Sequence, residues 1–248
     1  MSIRISIITV VYNAGNFLEW TLKSVRDQKY GNIEYIVIDG GSKDNTLDLL
    51  KKYNHIITKW ISEPDEGLYY AMNKGLKMMS GEYVMFLNAG DTFYNDEVLN
   101  QVFSASEPAS DIYYGETMIM DRHGKNIGMR RLKAPEQLTW ESLIDGMLVC
   151  HQSFIVRKSI CQDYNVKYKI ASDFDWMLKC LKNARSISNT HLIITRFLDG
   201  GLNKQKISKA LYERFTIMIR NYNFFLVVLN HFRIGLRFGL SYYKNKRF

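Results

Sequence analysis

Paired cysteines, clustered histidines and a membrane-length apolar run are all missing from this 248-residue chain, and each absence closes off a class of protein. The three cysteines, Cys150, Cys161 and Cys180, are odd in number and lack metal-ligand spacing. They exclude a disulfide framework or zinc site and read as reduced, buried thiols of a cytosolic protein. His55, His123, His151, His191 and His231 show no ligand spacing either. The apolar run 224–229 is broken by Asn230, His231 and Arg233, short of the ~20 residues a spanning helix needs. The apolar run near Met1 is short, β-branched and followed directly by Tyr12-Asn13-Ala14-Gly15, which makes it a first strand and not a secretory signal. No internal repeat, low-complexity tract or Gly-rich basic loop after that strand is present. Acidic residues all but vanish after 203: residues 204–248 hold ten Lys/Arg and one acid, Glu213, whereas residues 1–203 hold 23 Lys/Arg and 24 Asp/Glu. The net charge of +8 therefore belongs to the tail, and the body carries no nucleic-acid signature.

What is present is the composition of a folded protein, 46% hydrophobic and 23% charged, in a chain long enough for one large domain and an appendage. Apolar periodicity predicts strands at 3–11, 33–38, 56–61 and 83–87, with helices from about 16, from about 46 and over 68–79. This alternation with short connections predicts right-handed βαβ units and a parallel sheet flanked by helices. After Asp91 the pattern loosens. A helix ends at 98–103, and a strand opening at 111 continues as an antiparallel ribbon to 120, with its turn at 121–124. A strand at 153–156, a helix at 172–181 and an extended segment at 187–197 follow. The sheet thus acquires a mixed edge, and 205–243 is mostly helical.

The run 83–87 is too short for a helix and suits a strand buried on both faces. It ends in Asn88-Ala89-Gly90-Asp91. Ligands of open α/β sheets collect beyond the carboxyl ends of strands, so this end, Tyr12-Asn13 and Asp39 would line one edge. Gly40-Gly41 leaves room for a ligand to approach the backbone. Asp39 and the following Ser42-Lys43-Asp44-Asn45-Thr46 suit a helix cap and Asx turn as well as they suit a ligand site.

The blocks Ile7-Ile8-Thr9-Val10-Val11-Tyr12-Asn13 and Ile36-Val37-Ile38-Asp39-Gly40-Gly41-Ser42-Lys43-Asp44-Asn45-Thr46 resemble the start of the inverting nucleotide-sugar glycosyltransferase family 2. Its members have the GT-A fold. Asp65-Glu66-Gly67-Leu68-Tyr69-Tyr70-Ala71-Met72-Asn73-Lys74-Gly75 and Phe86-Leu87-Asn88-Ala89-Gly90-Asp91 resemble the bacterial branch of it that serves colanic acid, O-antigen and capsule assembly. The resemblance spans residues 3–203, which it marks as the catalytic domain, with 204–248 as a helical extension.

The resemblance implies that Tyr12 packs on the nucleotide base and Asp39 accepts a base N–H. It places Asp65, Asn73 and Lys74 near nucleotide and sugar, although the helix of Asn73 also suits a plain core helix. Asn88 and Asp91 stand at the Asp-x-Asp position. Asn88 and Gly90 replace two of its acids, leaving Asp91 to hold Mg²⁺ or Mn²⁺, while Val11 and Met72 depart from commoner Pro and Arg forms. In Ala171-Ser172-Asp173-Phe174-Asp175, Asp173 matches the general base and Ser172 replaces a Glu. The alternative for Asp173 and Asp175 is a pair of first-turn acids stabilised by the helix dipole. His151 would contact the leaving diphosphate or orient the acceptor, or simply serve structure, and 197–203 would cover the donor or serve as a linker.

The expectation is an inverting, metal-dependent transferase that moves a sugar, from a UDP-sugar by preference, to a hydroxyl of a growing, lipid-linked cell-surface saccharide. A nucleotidyltransferase on a similar sheet and a non-catalytic saccharide-binding relic are the competing readings. The tail repeats Phe225, Leu229, Phe232, Leu236, Leu240 and Tyr243 at helical spacing, with Arg233, Arg237 and Lys244 on another face. It suits the inner surface of an anionic cytoplasmic membrane, or packing on the body or on a second copy.

Overall fold

All seven residues of the first strand, Ile5–Val11 (β1), are buried, which demands a strand on each side and a layer on each face. The strands are β2 (Ile33–Asp39), parallel to β1 from Ile5↔Ile33 to Val11↔Asp39, and β4 (Tyr83–Phe86), also parallel to β1. The chain is described here by a computed structural model covering residues 2–104, 109–200 and 206–233. Among these residues one sheet has the order β3-β2-β1-β4-β8-β6-β9-β5. Its parallel half contains β3 (Lys59–Ser62). The mixed half adds β5 (Thr92–Phe93), β6 (Ile112–Met120), β7 (Asn126–Met129), β8 (Phe154–Arg157) and β9 (Ile187–Leu198), with β7 hairpinned onto β6. This is the expected α/β sheet with a mixed edge.

Alternation along β1 sorts the two layers, because successive side chains point to opposite faces. Ile5 and Ile7 pack with Leu18 and Leu22 of α1 (Gly15–Arg26) and Leu50 of α2 (Thr46–Lys52). Ile8 and Val10 meet Met72 and Leu76 of α3 (Leu68–Met78) and Phe174 and Leu178 of α5 (Ser172–Asn183). Trp176 of α5 stacks on Tyr164, with ring centroids 5.0 Å apart, and meets the edge of Phe86 at 5.7 Å. The start of α5 is thereby fixed against the end of β4. Helix α4 (Val98–Ser104) covers the edge beyond.

Three local expectations shift. The strand expected at 56–61 starts later, because 53–57 close a turn through Ile56 N–H to Tyr53 O. The two-residue β5 is too short to carry a period, and its pairing with Thr195 and Arg196 of β9 draws the end of β9 against Asp91. Among the described residues the tail forms two helices. In α6 (Ile207–Asn221), Ile217 and Met218 join the core against α5. Asn223 then starts a new helical stretch at 224–233 by accepting the N–H groups of Phe225 and Leu226. The boundary expected at 203/204 and the cationic residues beyond 233 lie outside the described residues.

At the edge opposite the strand ends, β2 carries one fully buried acid, Glu34. Burial alone would raise its carboxyl, but Ser6, the N–H and hydroxyl of Ser80, and Lys59 donate to it and bring it to about 2. Replacing Glu34 with Ala strands these donors. Chemical denaturation should show a loss of about 3 kcal/mol, against a change below about 1 kcal/mol for the exposed Glu66→Ala.

Candidate active site

The carboxyl ends of β1 and β4 open into a cavity of about 700 Å³. Five of the nine residues singled out from the sequence line it: Tyr12, Asn88, Asp91, His151 and Asp173. The other four do not. Asp39 and Asp65 gather beside Tyr12 around Gly40, where a Cβ would lie 3.4 Å from the Tyr12 ring and 3.6 Å from Asp65 Oδ2. Lys74 pairs with both Asp65 and Glu63 at 2.6 Å. Asn73 is spent elsewhere: its amide exchanges two hydrogen bonds with the backbone of Tyr164, at 2.8 and 2.9 Å. It clamps α3 to the 164 segment.

Tyr12 is exposed, at 65%, a large aromatic surface at a strand end. Asp39, in contrast, is fully buried. Its carboxylate accepts the Ser42 N–H and the hydroxyls of Ser42 and Ser62. The Asx turn is therefore real, and it shapes the wall behind Tyr12. Asn13, at φ 48, accepts the Lys43 N–H and gives its own to Ser42, tying the ends of β1 and β2 together.

Asp91 is a tie between three segments. Oδ1 accepts the N–H of Leu198 at 2.9 Å and Oδ2 accepts Gln152 Nε2 at 2.8 Å. The amide of Gln152 is oriented by the thiol of Cys150, which donates to Oε1; burial holds that thiol protonated by raising it to about 11. Burial also pushes Asp91 up, to about 7, against those two hydrogen bonds. Thr21 of α1 holds the same loop by donating to Asp91 O and accepting the Gly90 N–H. Gly90 sits at φ +100, and a Cβ there would meet Leu198 at 2.6 Å. A side chain at this position would hold a strained left-handed backbone and displace the end of the Leu198 side chain.

This arrangement fits a divalent ion poorly. Hard cations ask for free carboxylate oxygens, yet both oxygens of Asp91 are occupied. Beside Asp91, the buried acceptor without a hydrogen-bond partner among the described residues is an amide oxygen, Asn88 Oδ1. Among the described residues no three His, Cys, Asp or Glu converge as a cation site.

Asp173 stands in the first turn of α5, where the helix dipole favours a carboxylate. Its Oδ1 accepts the Phe174 N–H at 2.8 Å and lies 3.5 Å from the Tyr69 hydroxyl. Oδ2 lies 3.7 Å from His151 Nδ1, and His151 Nε2 lies 3.5 Å from the Asn88 amide nitrogen. Asn88, His151 and Asp173 thus form a loose chain across the cavity. Burial lowers His151, more than the pull of Asp173 raises it, so the ring is neutral at pH 7. Asp175, two residues on, pairs with Lys179 at 2.7 Å.

Sequence reasoning missed Gln152, Glu213 and Arg214. Glu213 of α6 is buried and accepts the N–H groups of Lys169, Ile170 and Ala171, and Arg214 beside it lines the cavity. One signal was available: Glu213 is the sole acid of residues 204–248.

Comparison with known proteins gives a family match over residues 6–164, to Glycosyl transferase family 2. An uncharacterized glycosyltransferase of Mycobacterium tuberculosis is 34% identical over 217 residues, covering 84% of this chain and 80% of its own. Among solved structures, residues 1–349 of Staphylococcus aureus TarS in complex with UDP-GlcNAc superpose with a TM-score of 0.63 at 22% identity, over 80% of this chain and 59% of that one. A Pyrobaculum calidifontis mannosyltransferase, in complex with GDP-Man and Mn²⁺, gives a TM-score of 0.66 at 15% identity, over 90% and 66%.

The tie at Asp91 has a pH signature. Its folded value, about 7, lies above the unfolded value of about 3.9. As pH rises the unfolded chain releases this proton first, so the stability held below pH 4 is lost progressively up to about pH 7. Asp91→Asn cannot ionise. Melting temperatures measured from pH 4 to 7 should fall less steeply for the variant than for the wild type, and equal slopes would place the proton elsewhere.

Proposed function

This chain belongs to glycosyl transferase family 2, and from that premise we propose that it moves a sugar from a UDP-sugar to a hydroxyl of a growing, lipid-linked cell-surface saccharide, with inversion at the anomeric carbon. The observation that carries the mechanism is the position of Asp173: in the first turn of α5, open to the cavity that Tyr12 and Asn88 also line. A carboxylate there is placed to take the proton of an acceptor hydroxyl as it attacks. Its neutral neighbour His151 orients it without competing for the proton. Asp91, the other carboxylate near the reacting end, is tied by two hydrogen bonds and unavailable as a nucleophile. This supports direct displacement in one step.

The solved relatives carry both UDP and GDP donors, so the fold leaves the base open. The choice of UDP rests on Tyr12 and Asp39: an exposed ring for stacking beside a wall stiffened by the Asx turn, with Asp65 and Lys74 next along it. Enzymes of this fold commonly use divalent metals, and the mannosyltransferase structure includes Mn²⁺. Both oxygens of Asp91 already accept hydrogen bonds, so this residue as it stands is a poor holder of Mg²⁺ or Mn²⁺. The nucleotidyltransferase alternative yields to family membership. The relic alternative would be sunk by turnover.

No helix among the described residues is long and apolar enough to cross a membrane. A peripheral site on the inner membrane face is supported by 224–233, where Phe225, Leu229 and Phe232 are exposed while Val227 and Asn230 anchor the stretch to the body. Because α6 carries core residues, the part that docks on the membrane surface is taken to begin at 224.

Two measurements test this reading. Asp173→Asn keeps the shape of the side chain and removes the acceptor of the proton. UDP should raise the melting temperature of variant and wild type alike, while release of UDP from a UDP-sugar panel should fall by roughly 10²-fold in the variant. Near-normal turnover would move the base elsewhere, and stabilisation by GDP but not UDP would overturn the donor.

Full-length protein should also sediment with vesicles containing anionic lipid and be released at high salt, as screening shortens the reach of the tail's charge. Phe225→Asp with Phe232→Asp should abolish sedimentation and leave the UDP shift intact. Sedimentation that survives the double change would remove this helix from the membrane reading.

A further inference from the structure

Beyond the donor and the base, the cavity carries an excess of positive charge. Arg122, Arg130, Arg131, Lys169 and Arg214 line it, against Asp91, Asp173 and Asp199. Two of these cations, Lys169 and Arg214, sit on segments that one buried residue ties together. Glu213 accepts three consecutive backbone N–H groups, of Lys169, Ile170 and Ala171. This locks α6 to the segment that leads into α5. Arg214 follows Glu213 in sequence, and Lys169 is the first residue clamped.

Neither cation is neutralised by a carboxylate among the described residues. The Lys169 ammonium lies 5.2 Å from the centre of the Tyr70 ring. Arg214 Nε is buried and has no hydrogen-bond partner among the described residues, a desolvation cost that an incoming acceptor atom would relieve. Arg214 also continues a stripe. Ile207, Leu211 and Arg214 are spaced i, i+4, i+7 and share one helix face, and Ile207 and Leu211 are exposed, at 59% and 57%. Uncovered apolar surface therefore leads along α6 to a guanidinium at the cavity.

We propose that Arg214 and Lys169 form an anion subsite for a phosphate group on the acceptor, with the apolar stripe of α6 taking the first part of the lipid attached to it. The proposal rests on the transferase reading above and names the chemistry of its acceptor: a phosphate-linked alkyl carrier whose saccharide hydroxyl reaches Asp173. Planar guanidinium groups suit phosphate oxygens in two-point contact, and a lysine ammonium adds a point charge. On the transferase reading the donor diphosphate lies at the Asn88 end, so the two anions are expected to bind together.

The test is isothermal titration of the full-length protein, first with UDP and then, on the UDP-saturated protein at constant ionic strength, with inorganic phosphate and with hexyl phosphate. Phosphate should bind without displacing UDP, and hexyl phosphate more tightly than phosphate. Arg214→Gln should weaken both phosphates by about tenfold or more and leave the UDP affinity within about twofold. Lys169→Ala provides a second variant should the first fail to fold, with the same expectation. Phosphate that competes with UDP would give these cations to the donor, and phosphate binding that survives both variants would put it elsewhere; either result overturns the subsite. Equal affinity for phosphate and hexyl phosphate would overturn the lipid stripe. A protein that takes phosphate but not UDP would overturn the donor reading and leave the anion subsite standing, so the two failures are distinguishable.

Discussion

A single buried carboxylate holds the open end of this sheet in shape. Asp91 accepts one hydrogen bond from the Gln152 side chain and one from the Leu198 backbone, so the loop after β4, the turn carrying His151 and the end of β9 become one unit. With them joined, Asn88 and His151 stand 3.5 Å apart on the cavity wall. The desolvation cost of burying Asp91 is large enough to raise its carboxyl to about 7, and the fold tolerates it because three segments are positioned in return.

The same tie explains why this strand end departs from the more acidic form of the family. A residue with a side chain at 90 would need a left-handed backbone and would have to displace the end of the Leu198 side chain. Asn88 keeps an oxygen for a ligand without adding a buried charge beside Asp91, where a like charge at close range would be costly. Charge in this cavity is thus weighted toward cations, the opposite of a site organised around a protein-held metal.

A second support lies on the far wall. Trp176 fixes the body of α5 through Tyr164 and Phe86, and Glu213 fixes the segment that enters it. Asp173 is therefore held from both sides, by apolar packing behind and by a buried acceptor before. Helix α6, which the sequence presents as part of a basic appendage, takes part in shaping the site, and its neighbour at 224–233 presents Phe225 and Phe232 outward. Catalytic cavity and lipid-facing surface are then joined through one helix, α6.

Much of this was legible in the residues themselves. The heptads Ile5–Val11 and Ile33–Asp39, all but continuous in apolar residues, predict buried parallel strands because such runs leave no face for water. The short connections between them predict strand ends on one edge, and Tyr12, Asn88, Asp91, His151 and Asp173 do meet there. What the sequence could not decide was what each polar atom would be used for. Asn73, Asp39 and Asp91 look like ligand contacts in their blocks, yet their atoms go to Tyr164, to Ser42 and Ser62, and to Gln152 and Leu198, partners 3 to 107 residues away. Local periodicity records which face of an element is buried. Pairings across such separations depend on how the sheet closes, as when the two-residue β5 pulls β9 onto Asp91. Only the tertiary structure set them, because a hydrogen bond is directional and short, and no local pattern in the chain specifies which distant partner will arrive within 3 Å.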